Sequence, residues 1–149
     1  MNDAVCVDAS LIVSLLIPDS HTEKASALWQ AWIDDDLHVL APSLLGYEVT
    51  SAIYRRVSAG GIEPADGQAA LEQFLAMYIE TIHAPDLHPK ATALARRFGR
   101  PDALDAHYLA VADHFACPLW TADEGLYDTV KCSLDWVRWV GEPEAAGKS

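Results

Sequence analysis

Apolar residues fall along the chain in two rhythms. Continuous runs too short for a helix occur at residues 4–8, 37–41, 78–83, 117–121 and 134–140. Such runs read as strands, buried on both faces where they are most apolar. Between them lie stretches with helical spacing at residues 10–17, 22–34, 42–56, 64–77, 89–98, 102–115 and 123–129. In the second of these, Ala25, Leu28, Trp29 and Trp32 share one face. The punctuation agrees. Pro18 stops the first helix, Ser20 and Thr22 are candidate caps for the second, and Pro42 is assigned to the first turn of the third. Gly60-Gly61 and Gly99 are stop signals, and Pro85 breaks the run before it. Asp34-Asp35-Asp36 reads as a solvated turn. Strands alternating with helices, without tight hairpins, predict an α/β fold with a central parallel β-sheet flanked by helices on both faces. No repeat or linker divides the chain. One domain is expected over residues 1–141, with a small and polar tail at 142–149 expected to fray.

Composition narrows this further. A chain of 149 residues, 51% hydrophobic and 21% charged, suits one domain with a real core. It contains no apolar run long enough to predict a membrane span. The first apolar stretch is interrupted by Asp8 and has no basic residue before it, which argues against a secretory signal. Cys6, Cys117 and Cys132 are scattered, so neither a disulfide framework nor a zinc site is expected, and a reducing cytoplasm is the default. The net charge of -12 works against indiscriminate binding of polyanions. It leaves three readings: a protein that does not bind polyanions, acid partly gathered in a site and neutralised by a cation, or a basic protein partner. No glycine-rich phosphate loop is present, so no nucleotide cofactor is expected.

The candidate chemistry is carboxylate. Asp8 ends the first strand just as a helix begins, which places it at the carboxyl edge of a parallel sheet, where ligands bind in such folds. Asp123 follows the fourth strand in the same way. Glu48 lies in the early turns of the third helix beside apolar neighbours, and Asp105 is the outlier near the start of a helix of small and apolar residues. Each has a plain alternative. Asp8, Asp102 and Asp123 are good helix caps, Glu48 fits a helix rim, and Asp105 suits a helix's positive end. Four carboxylates converging on one edge repel unless a cation sits among them. An all-oxygen ligand set selects a hard ion, Mg²⁺ or Mn²⁺. Basic residues for a substrate are few. Glu48, Ala52 and Arg55 share a helix face. Arg96, Arg97 and Arg100 form a cluster shortly before Asp105, either phosphate contacts or a solvated face. Trp29, Trp32, Trp136 and Trp139 are assigned to the core or to a dimer interface rather than to base stacking.

Three blocks in order carry a family resemblance: "VDASLIVSLL" around Asp8, "APSLLGYEVTSAIYRR" around Glu48, and "DALDAHYLAVADHFACPLWTADEGL" spanning Asp105 and Asp123. The chain resembles the PIN-domain ribonucleases, most of all the VapC-type toxins of toxin–antitoxin pairs. The resemblance implies a PIN-like fold and places the family's catalytic, metal-holding acids on Asp8, Glu48, Asp105 and Asp123. Ser10 and Thr121 match the polar residues that flank those acids, whereas Asp102 matches none and stays a cap. Also implied are Mg²⁺ or Mn²⁺, held chiefly by Asp8 and Asp105, and hydrolysis of RNA by a metal-activated water. A homodimer and a small antitoxin lodged in the acidic groove complete the implied picture, with Arg55, Arg97 and Arg100 as candidate substrate contacts. Two alternatives stand beside it. A haloacid-dehalogenase-like phosphatase wants a second Asp where Ser10 stands, and a PIN-like binding module would keep the acids without catalysis.

Overall fold

The computed structural model describes residues 3–143. The elements run β1 (Ala4–Val7), α1 (Ala9–Leu16), α2 (Thr22–Asp34), β2 (His38–Pro42), α3 (Leu44–Ser58) and α4 (Pro64–Ala76). They continue with β3 (Glu80–Ile82), α5 (Leu87–Arg97), α6 (Leu104–His114), β4 (Leu119–Thr121), α7 (Glu124–Val130) and β5 (Val137–Trp139). The strands form one sheet in the order β3-β2-β1-β4-β5, with every neighbouring pair parallel. Parallel neighbours need a crossover, and the helices supply it, covering the sheet on both faces as the alternating pattern predicts.

The most apolar strand is the central one. In β1, Val5, Cys6 and Val7 are buried, and Cys6 faces Leu40 of β2 on one side and Leu119 of β4 on the other. Leu11 and Ile12 of α1, Leu45 and Val49 of α3, and Tyr108, Leu109 and Val111 of α6 close the core around it. Trp32 is buried and Trp29, Trp136 and Trp139 are partly buried against the same core. Among the described residues no helix is long and apolar enough to cross a membrane.

Some boundaries differ from expectation for local reasons. Pro42 does not open α3. It closes β2, paired in register with Ile82, and the helix starts two residues later at Leu44. Neither Ser20 nor Thr22 caps α2, whose N-cap is His21 with no side-chain bond. The Thr22 hydroxyl instead donates to the Ser14 carbonyl at 2.7 Å and ties the turn back to α1. The helix around Asp105 begins at Leu104, where Asp102 Oδ1 accepts the Leu104 N–H at 2.9 Å. Of the tail expected over residues 142–149, residues 144–149 lie outside the described residues, while Glu142 accepts the Tyr127 hydroxyl at 2.8 Å.

Candidate active site

Because β1 and β4 are parallel neighbours, their carboxyl ends open onto the same edge, and each ends in an acid that starts a helix. Asp8 is the N-cap of α1, with extended backbone and its side chain accepting from Leu11 N at 3.0 Å. Asp123 is the N-cap of α7, accepting from Leu126 N at 3.2 Å. The capping role offered as the plain alternative is therefore real for both, and it aims both carboxylates at the edge rather than away from it.

Two hydroxyls stitch these corners together. Ser10 Oγ donates to Asp8 Oδ1 at 2.7 Å and accepts the Ala122 N–H at 2.9 Å. Thr121 Oγ1 donates to Asp8 Oδ2 and accepts the Asp123 N–H at 2.9 Å. Thr121 is fully buried and Asp8 only 6% exposed. Burial pushes the Asp8 carboxyl up to about 6, the bonds from Thr121, Ser10 and Leu11 pull it down, and the charge of Asp123 pushes it up again. Desolvation thus outweighs three donors, leaving an anion that would gain from a nearby cation.

The other two acids come from helices. Glu48 in α3 is half-buried and its Oε1 accepts the Tyr108 hydroxyl at 2.6 Å. Burial raises the Tyr108 phenol far above its ordinary range, and the Glu48 carboxylate raises it further, so Tyr108 is a permanent donor. Asp105 lies in the first turn of α6 and accepts from Arg100 Nη2 at 2.7 Å, with side chains 38% and 20% exposed respectively.

Asp8, Glu48, Asp105 and Asp123 all line one cleft of about 450 Å³. Ser10 and Arg55 line it too, as expected from the sequence, with Arg55 Nη1 donating to Ser51 Oγ at 3.0 Å. Asp19, His21, Arg56 and Tyr108 also line it and were not anticipated. Tyr108 was within reach of sequence reasoning, since it stands three residues after Asp105 on the same helix face, and Arg56 stands four after Ala52. Asp19 and His21 lie in the turn between α1 and α2, whose path no local pattern gives. Arg97, Arg100 and Thr121 do not line the cleft, although Arg100 and Thr121 each bond an acid that does. Arg97 sits in the last turn of α5 with its guanidinium 4.9 Å from the ring of Phe98.

Four elements deliver the four acids, and they are spread out. Among the described residues, no three His, Cys, Asp or Glu side chains are already close enough to hold a metal ion. The donor set nonetheless fits a hard divalent cation: it is all oxygen, it lines one cleft, and its most buried member is an under-compensated anion whose ionisation Asp123 opposes. No thiolate is offered, since Cys6, Cys117 and Cys132 do not line the cleft, and among the described residues the imidazole of His21 is the one nitrogen ligand type on its wall.

The chain is thus an α/β domain whose central parallel strands end in acids at one edge of the sheet, and a PIN-domain family model matches it. That model matches residues 6–134, and the chain belongs to the PIN-domain family. Within it the likeness is to the VapC type. VapC ribonuclease Mb0985 of Mycobacterium bovis and ribonuclease VapC9 of Mycobacterium tuberculosis are each 28% identical over 125 residues, covering 84% of this chain and 90% of the relative. Among solved structures, the Mycobacterium tuberculosis toxin VapC20, described as cleaving the sarcin–ricin loop, superposes with a TM-score of 0.66 at 20% identity, over 90% of this chain and 98% of that one. PAE2754 from Pyrobaculum aerophilum superposes with a TM-score of 0.63 at 24% identity, over 90% and 91%.

Proposed function

We propose that the cleft is the active site of a divalent-metal-dependent endoribonuclease, the toxin of a type II toxin–antitoxin pair. The observation that carries this reading is the delivery of Asp8, Glu48, Asp105 and Asp123 from four separate elements to one cleft. Membership of the PIN-domain family and likeness to VapC ribonucleases support it.

Asp8 and Asp105 would be the chief ligands of Mg²⁺ or Mn²⁺, and Glu48 and Asp123 would complete the site directly or through water. Bound there, the ion supplies a water of lowered pKa and neutralises charge on the scissile phosphate. The chain's own residues do the rest. Ser10, Thr121 and the Leu11 amide fix the orientation of Asp8. Tyr108 engages Glu48 Oε1 and so leaves Oε2 to accept a proton from the attacking water. Arg55 and Arg56, on the cleft wall, meet the flanking phosphates of a single strand. The acid that repels a bare polyanion also suits a basic antitoxin side chain entering the cleft, and a homodimer belongs to the same reading.

The test is cleavage of labelled single-stranded RNA in excess EDTA, in Mg²⁺ and in Mn²⁺, with Asp8→Asn alongside. Cleavage restored by either ion and lost in the variant is expected. Robust cleavage in EDTA, or by the variant, overturns the reading. A wild type that binds a protein partner but never hydrolyses RNA is instead a PIN-like binding module.

A further inference from the structure

Among the described residues, Arg100 is the one cation that bridges to any of the four acids. Its hold is uneven. Nη2 meets Asp105 Oδ2 at 2.7 Å, Nη1 reaches Thr129 Oγ1 at only 3.4 Å, and Nε is buried with no acceptor. A guanidinium has five N–H donors, and a buried donor without an acceptor is destabilising. The backbone beneath it is anchored. Gly99 adopts a φ of 63°, its N–H donates to Arg96 O at 3.2 Å, and Arg100 N donates to Ala95 O at 2.9 Å, closing the end of α5. Any rearrangement is therefore a swing of the side chain.

Asp105 lines the acidic cleft and is the partner of this arginine, so an incoming divalent ion and Arg100 compete for one carboxylate. Two cations on a half-exposed carboxylate repel each other, and the one on the long, rotatable stem moves more readily. Resting on the reading of the cleft as a metal-dependent ribonuclease site, we infer that Arg100 is an exchangeable counter-ion. It neutralises Asp105 in the metal-free chain, surrenders it to the divalent ion, and turns its freed fork onto an RNA phosphate. A phosphate offers the paired acceptors that the present arrangement lacks. Metal loading and capture of the RNA backbone are thereby coupled through a single side chain.

The coupling predicts effects of opposite sign in one variant. Mn²⁺ binding, followed by titration of the free ion in the full chain without RNA, is expected to tighten about fivefold in Arg100→Gln, the scale of a half-exposed ion pair. Binding of labelled single-stranded RNA with Ca²⁺ present is expected to weaken by a similar factor. Arg100→Lys, which keeps the charge but not the fork, is expected to leave Mn²⁺ binding near wild type and still weaken RNA binding. A residue that merely props up the fold would weaken both, and thermal melting of each variant reports such a loss separately. Mn²⁺ binding unchanged or weaker in Arg100→Gln, or RNA binding unchanged, overturns the inference. A wild type that binds no Mn²⁺ overturns the metal-dependent reading of the cleft instead.

Discussion

The two sides of the cleft are built to different standards. On the sheet side, Asp8 is nearly sealed from water and held by two hydroxyls and a backbone amide, all contributed by residues whose own backbone is fixed in α1 or β4. On the helix side, Asp105 is half-exposed and is held by one flexible arginine. The first arrangement sets the direction of a charge before any ligand arrives, at the expense of an ionised group in a poor solvent. The second leaves a charge adjustable. A site that must release a cation or admit a polyanion has use for both, one rigid wall to aim and one yielding wall to adapt.

The sharpest way to break the contrast is at the rigid wall. Asp8→Asn is expected to lower RNA cleavage by at least about 100-fold, exceeding what loss of a supporting outer partner does. The same change is expected to stabilise the metal-free fold near neutral pH. The Asp8 carboxyl lies near 6 instead of 3.8, which corresponds to roughly 3 kcal/mol of strain in the ionised form. With an acceptor lost to the amide, a net gain of about 1 kcal/mol in a denaturant melt is the expected outcome. Opposite movement of activity and stability marks a group retained for chemistry; a destabilised variant would mark Asp8 as a structural cap alone.

Next in size is Thr121→Val. It preserves shape in a fully buried position but removes the donor to Asp8 and the acceptor for Asp123 N. A loss of about 1–3 kcal/mol is expected, since the Asp123 amide is left without its acceptor. Divalent-ion binding, followed against pH, is expected to move its midpoint upward, because one of the bonds favouring ionised Asp8 is gone. A pH titration of the wild type is the third measurement. The folded state holds the Asp8 proton more tightly than the unfolded chain does, so this residue's contribution to stability is complete below the ordinary carboxylate range and fades as pH rises through about 6. Over the same window the affinity for a divalent ion is expected to rise, and saturating ion should restore the lost stability. The smallest effect belongs to Arg97→Ala. Its guanidinium lies over Phe98 and away from the cleft, so RNA affinity at low salt is expected to change less than about twofold.

What the sequence disclosed follows the same division. Asp8 and Asp123 were legible because a strand ending in a capping acid is a local pattern, and the edge it faces follows from parallel pairing. Ser10 and Thr121 came from the family resemblance, and the structure shows them sharing Asp8 between them. The adjustable wall was harder to read. Arg97 and Arg100 look alike in the chain and stand on either side of the left-handed turn at Gly99, yet only Arg100 meets Asp105. Asp19 and His21 reach the cleft through a turn anchored by Thr22 on the Ser14 carbonyl and by Asp19 on the His21 amide. That is a tertiary accident of how α1 meets α2, and no periodicity records it. Pro42 misled because the ring that suits a helix's first turn also suits the last position of a strand.

The bond from Thr121 to Asp8 joins residues 113 positions apart in the chain. During synthesis the first strand leaves the ribosome long before the strand that will lie beside it. Until β4 follows, Asp8 lacks one of its two hydroxyl donors, Asp123 does not exist, and β1 has an open edge. A nascent chain is therefore incapable of forming the cleft until β4 has been made, which sets a built-in delay between the start of translation and the first moment the four acids can share one cleft.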